Sequence, residues 1–124
     1  MSGDELSLGG LEGFKVWDRT VQAPVHQEVK TAYVSIGVGG TIRLNRACYA
    51  MWGEPEAVQV MFDPDRRRIA LKPVSRDEEN CYPIDWWDRT MSAKKMFDFY
   101  GVVITHTRRY YDPKIIDGVL VVDL

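Results

Sequence analysis

The sequence predicts a β-dominated α+β domain assembled from two similar halves, each contributing one short helix to a shared interior. Three observations carry this. Apolar residues alternate in short runs, as in Val58, Val60 and Phe62 and again in Ile69 and Leu71, the period of half-buried strands. Two stretches break into helical spacing, from Arg46 to Trp52 and from Lys94 to Tyr100, and a glycine closes each. The order of these features occurs twice: Val34 to Gly53 align without a gap on Tyr82 to Gly101, forty-eight positions further on. A module copied in this way leaves an apolar face that its neighbour must bury.

Length and composition bound the answer. A chain of 124 residues makes one ordinary domain or two small halves around one core, and 45% hydrophobic content is enough to pack it. We expect a flexible polar tail over residues 1–10 and a single domain over 11–124. The formal charge of −2 is not the basic balance of a nucleic-acid binder, so any anion-binding surface must be local. Cys48 and Cys81 form neither a disulfide framework nor a C-x-x-C pair, which points to a reduced, cytoplasmic setting. The opening MSGDELSLGG lacks the basic-then-apolar pattern of a secretion signal, and no run approaches the roughly 20 apolar residues of a membrane span. A soluble protein with no membrane partner is expected.

Along the chain, Phe14, Val16 and Val21 alternate and predict a short strand with Trp17 on its opposite side, followed by a loop over residues 22–30. Tyr33 to Ile36 reads as a strand, and Gly37, Gly39 and Gly40 as a turn into a second strand holding Ile42 and Leu44. Asn45 suits a helix N-cap, because its side chain accepts from an otherwise unpaired backbone N–H. The helix then sets Cys48, Met51 and Trp52 on one face, and Gly53 and Pro55 end it. A hairpin follows, turning at Asp63-Pro64-Asp65. Residues 75–80, SRDEEN, form a charged bridge between pseudo-repeats at about 33–73 and 82–124.

In the second half Arg46 falls on Lys94, and Cys48, Tyr49, Met51 and Trp52 fall on Met96, Phe97, Phe99 and Tyr100. With one added residue, Phe62-Asp63-Pro64 falls on Tyr111-Asp112-Pro113. The closing strands RIALKP and VLVVDL then correspond, after a longer second turn through Asp117-Gly118.

The segment GGTIRLNRACYAMWGEPEAVQVMFDPDRRRIALKP and its second version resemble the AbrB/MraZ group of swapped-hairpin transcription factors. The family pattern is a strand, a D-x-x-x-R or G-R turn, a V-x-I-P strand end, a short helix ending L-G, and a hairpin, and this chain follows that order with similar spacing; the resemblance covers roughly residues 33–124. It implies a swapped-hairpin β-barrel in which two interlocked units, here fused in one chain as in MraZ, share the strands. It also implies a DNA-binding transcriptional regulator that grips the phosphate backbone of duplex DNA. The chain departs from the pattern at three places. Asn45 and Ala93 stand where the family has proline, and Tyr49 and Ala50 where AbrB-type helices carry arginines. The D-x-x-x-R turn survives only as Asp85-Trp86-Trp87-Asp88-Arg89; its first-half counterpart is Gly37-Val38-Gly39-Gly40-Thr41.

The candidate DNA-binding residues are Arg43, Arg46, Arg89, Lys94 and Lys95, at the turns and helix starts, where cations and backbone N–H groups can meet phosphates. The alternative is that these are solvated surface charges. Arg66-Arg67-Arg68 at a hairpin tip and Arg108-Arg109 read as charges that keep strand edges soluble. Trp86 and Trp87 are the most unusual pair: in an alternating strand one indole faces the core and the other faces out. An outward indole near Tyr82 and Tyr110 would anchor another protein, because such side chains dominate interface energies. The second functional reading is therefore a non-enzymatic protein-interaction module of the same fold, with oligomerisation possible. His26 and His106 have no ligand-spaced partners, so no metal site is expected. Gly37-x-Gly39-Gly40 lacks the Lys-Ser/Thr ending of a phosphate loop, and no nucleophile accompanies the aspartates. Neither an enzyme nor a cofactor is expected. Because the final strand reaches Leu124, a toxin-wrapping tail is not expected either.

Overall fold

The computed structural model describes residues 10–20 and 31–124. Apart from Gly10, the tail expected over residues 1–10 lies outside them, as do Val21, His26 and the loop expected over 22–30. The first half contains β1 (Tyr33–Ile36), β2 (Thr41–Leu44), α1 (Arg46–Met51), β3 (Ala57–Asp63) and β4 (Arg68–Val74). The second contains β5 (Tyr82–Pro83), β6 (Thr90–Ser92), α2 (Lys94–Tyr100), β7 (Arg108–Tyr111), β8 (Lys114–Ile116) and β9 (Val119–Asp123). Strands dominate, arranged in two antiparallel sheets of order β6-β2-β1-β7 and β5-β3-β4-β9-β8.

Neither sheet belongs to one half. β1 pairs with β7, and β3 pairs with β5, so each half lends a strand to the other. The remaining cross-pairs join β2 to β6, with Ile42 opposite Met91, and β4 to β9, with Ala70 opposite Val121. The register is not duplicated everywhere. Val34 lies opposite Tyr110, whereas Tyr82, its counterpart, lies opposite Val58. Burial refines the alignment as well. Ile42 and Leu44 face inward in β2, as Met91 and Ala93 do along β6, a spacing of forty-nine, whereas the helices start forty-eight apart. Asn45 intervenes between the inward Leu44 and α1, while α2 begins directly after the inward Ala93.

One apolar cluster joins Val34, Ile36, Ile42, Leu44, Ile69 and Leu71 to Ile84, Met91, Phe97, Leu120 and Val122. Removing each of these side chains from water is worth roughly 1.5–3 kcal/mol, so the two halves stabilise each other through a common interior. Local chemistry fixes the joints. Asn45 caps α1 by accepting from Cys48 N at 2.9 Å, and the same oxygen accepts from Tyr33 N at 2.9 Å, tying β1 to the helix start. Ala93 offers α2 no such side-chain cap. Gly53 at φ 94° and Gly101 at φ 69° end the two helices in the left-handed region. Trp52 Nε1 donates to Gly118 O at 2.8 Å, pinning α1 to the turn between β8 and β9.

Four local expectations are corrected. Residues 11–20 form only a single-residue bridge at Lys15, and Phe14, Val16 and Trp17 are all exposed, because alternation alone makes no strand without a core to face. On α1 the buried residues are Cys48 and Tyr49, followed by Trp52, while Met51 points out, as does its counterpart Phe99. Trp86 and Trp87 lie in a turn, not a strand, so both indoles face solvent. The long turn through Asp117-Gly118 is itself a hairpin: both residues have positive φ, the geometry of a two-residue connection, and β8 pairs with β9.

Candidate interaction surface

β2 and edge strand β6 run side by side at one margin of the four-stranded sheet, a ribbon with Ile42 and Met91 turned inward and Thr41, Arg43 and Ser92 turned out. At each end of this ribbon a turn from one half meets the helix start of the other half. The two corners occupy corresponding places and differ in content.

The first corner is the turn at Asp85–Arg89, set against the start of α1. Asp85 Oδ1 accepts from Trp87 N at 2.9 Å and from Asp88 N at 2.6 Å, so one carboxylate closes the turn from inside. Arg89 closes it from the other end. Its Nη1 donates to Trp86 O at 2.6 Å and Trp87 O at 3.1 Å, and its Nε donates to Leu44 O at 3.0 Å. Leu44 N in turn donates to Arg89 O at 3.0 Å. Arg89 is 9% exposed, so its charge is spent on three backbone carbonyls. This corrects the expectation that Arg89 is presented to phosphate. The D-x-x-x-R spacing here builds a rigid loop, with Asp and Arg satisfying the backbone groups that the turn leaves unpaired.

That loop displays the indoles. Trp86 is 55% exposed and Trp87 71%, and the rings meet edge to face with centroids 5.1 Å apart. The Arg46 guanidinium lies 5.2 Å from the Trp86 ring centre, a cation over an electron-rich face. Trp86 is thus held on one side, and Trp87 is the more exposed of the two. Tyr82 is exposed but lies in edge strand β5 of the other sheet, and half-buried Tyr110 sits in β7 beneath Arg108, 5.9 Å away. Among the described residues neither makes a ring contact with the indoles.

The second corner is the turn Gly37–Gly40, set against the start of α2. Gly40 N donates to Gly37 O at 2.9 Å, and Ala93 N donates to Gly40 O at 2.8 Å. Gly40 has φ +83°, and a Cβ there would lie 2.7 Å from Lys94 Cα, so glycine is required by conformation and by space. Leu44 N to Arg89 O and Ala93 N to Gly40 O are equivalent bonds, so Gly40 takes the place of Arg89, and Gly37 and Val38 stand where the other turn has Trp86 and Trp87, one residue off the forty-eight-position alignment. A cleft of about 210 Å³ opens there, lined by Val38, Phe97 and Val103, with Lys94 and Asp98 among its walls. Lys94 Nζ meets Asp98 Oδ2 at 2.8 Å, and that carboxylate holds the ammonium above its ordinary pKa.

The basic residues expected to bind DNA are therefore dispersed in role. Arg43 and Lys95 are exposed and take part in no ion pair among the described residues, Arg46 covers Trp86, Lys94 is paired, and Arg89 is internal. Asp85, Asp88 and Asp98 are interleaved with them.

Comparison with protein-family models, with curated proteins and with solved structures finds no match.

Among the described residues no group of three or more His, Cys, Asp or Glu side chains converges on a metal-sized site, and no helix is long and apolar enough to cross a membrane. The cleft at the glycine corner escaped sequence reasoning. Its signal was Gly37-Val38 standing opposite Trp86-Trp87 in the two versions of the turn.

Proposed function

We propose that this chain is a non-enzymatic protein-interaction module of the swapped-hairpin barrel type, binding through the tryptophan corner. The exchange of β5 and β7 between halves supports the swapped-hairpin reading. One observation carries the functional reading: a loop locked by Asp85 and Arg89 holds two adjacent indoles outward. Exposing that much aromatic surface costs solubility and favours association, and a rigid loop loses little entropy when the indoles are covered. A tryptophan buried in a partner's pocket typically supplies 2 kcal/mol or more, in the manner of an interface hot spot. Trp87→Ala should therefore abolish capture of a partner from a lysate of the native host while leaving the folding transition unchanged. Capture that survives the substitution would refute the reading.

DNA binding is the second reading, favoured by Arg43 on the outer side of the ribbon and by Arg46 and Lys95 at the starts of α1 and α2. Backbone binding through these cations would fall steeply with salt, and Arg43→Ala with Lys95→Ala would reduce the slope of log K on log salt by about 1.8. No duplex binding at roughly 50 mM salt would exclude this reading.

A further inference from the structure

The two ends of the β2–β6 ribbon carry a projection and a recess in corresponding places. Trp87, 71% exposed, projects at one end, and at the other its counterpart Val38 borders the 210 Å³ cleft. We infer that the cleft receives Trp87 of a second copy of this chain, giving a closed dimer in which two ribbons face each other. This rests on the reading of the tryptophan corner as a protein-binding surface and names its partner.

Size, surroundings, charge and symmetry agree on that occupant. A cavity of roughly 150 Å³ holds benzene, so a cleft of 210 Å³ admits the larger indole. Exposed Val38 and Val103 supply apolar wall, with Phe97 buried behind them, and Lys94, paired with Asp98, stands where Arg46 covers Trp86 in the other corner, so a cation is already placed beside the incoming ring. Asp98 offers an acceptor for the indole N–H. Charges beside the projection oppose those beside the recess: Asp85 and Asp88 come toward Lys95, which makes no ion pair among the described residues, and Arg46 comes toward the Lys94–Asp98 pair on its carboxylate side. The geometry also closes. A two-fold axis in the plane of the ribbon and perpendicular to the line joining the two corners exchanges them, so each copy's Trp87 meets the other's cleft at once. Arg43 then lies toward opposite ends in the two copies, and no recess is left for a third.

Sedimentation of the full chain tests this with two variants. Trp87→Ala removes the projection and keeps the cleft. Val38→Trp fills the cleft with the side chain found at the matching turn position and keeps the projection; Val38 is exposed, so the fold tolerates the change. Wild type should form dimers, and each variant alone should dissociate at least about thirtyfold more readily. An equimolar mixture of the two should recover association, because one Trp87 still finds one open cleft. A monomeric wild type at concentrations up to about 100 µM, a weak-binding limit, overturns the inference. So does dimerisation that both variants retain, or a mixture no better than its components. If wild type is monomeric and Trp87→Ala still abolishes capture of another protein, only the second-copy assignment falls. If the substitution changes neither, the tryptophan-corner reading falls with it.

Discussion

Replacing Arg89 by alanine separates a side chain that holds a loop together from one that touches a ligand. In the folded protein its Nε donates to Leu44 O at 3.0 Å in a buried position, and its Nη1 donates to Trp86 O and Trp87 O at 2.6 and 3.1 Å. Losing the buried bond strands a carbonyl away from water, at a cost of about 1–3 kcal/mol. The two bonds at the rim are worth about 1 kcal/mol each, since water can replace the guanidinium there. Loss of the packed stem adds to this, while release of a buried charge from its desolvation offsets part of it. The net expectation is destabilisation of about 2–4 kcal/mol, with Arg89→Lys intermediate because one ammonium cannot span three carbonyls. Urea unfolding followed by tryptophan fluorescence measures it. The far-ultraviolet signal of two edge-on indoles at 5.1 Å should weaken in the same variant under native conditions. Stability within about 0.5 kcal/mol of wild type would refute the assignment, since changes that small belong to surface positions without structural roles.

Other consequences follow from the same geometry. Gly40→Ala forces a Cβ to 2.7 Å from Lys94 Cα at a φ of +83°, and should cost about 2–5 kcal/mol in urea unfolding, whereas Gly39→Ala meets nothing within 4 Å and should be near neutral. Equal effects at the two glycines would contradict the packing of the turn on α2. Burial pushes the Cys48 thiol up to about 11, while Cys81 is partly exposed. A disulfide reagent at pH 8 should therefore label one thiol rapidly and the second only as the protein unfolds, and simultaneous labelling would contradict the burial. A raised thiol pKa also means that the folded state loses stability as pH climbs from about 9 toward 11, because the unfolded chain ionises first.

Much of the fold was legible because its signals are local. Asn45, Gly53 and Gly101 act through caps and left-handed residues that any context would favour, and the alternation in β3 and β4 found a core to face. The same alternation misled at Phe14 and Val16, where nothing packs against the chain, and at Trp86–Trp87, where the Asp85 side chain turns the backbone before a strand can start. Arg89 misled in another way. A basic residue after an acidic turn reads as a surface charge until its three carbonyl partners are in place, and one of them, Leu44 O, is forty-five positions away. The cleft beside Gly39 required the two corners to be set side by side, because a recess has no residue of its own.

The most direct test places a photo-activatable cross-linking residue at position 87 and irradiates the full chain in an extract of its native host, with the same probe at Lys72 as control. A protein adduct is expected, with a second copy or another chain, that is specific to position 87 and weakens when Arg89→Ala loosens the loop. An adduct to nucleic acid, or labelling no greater than at Lys72, would contradict it.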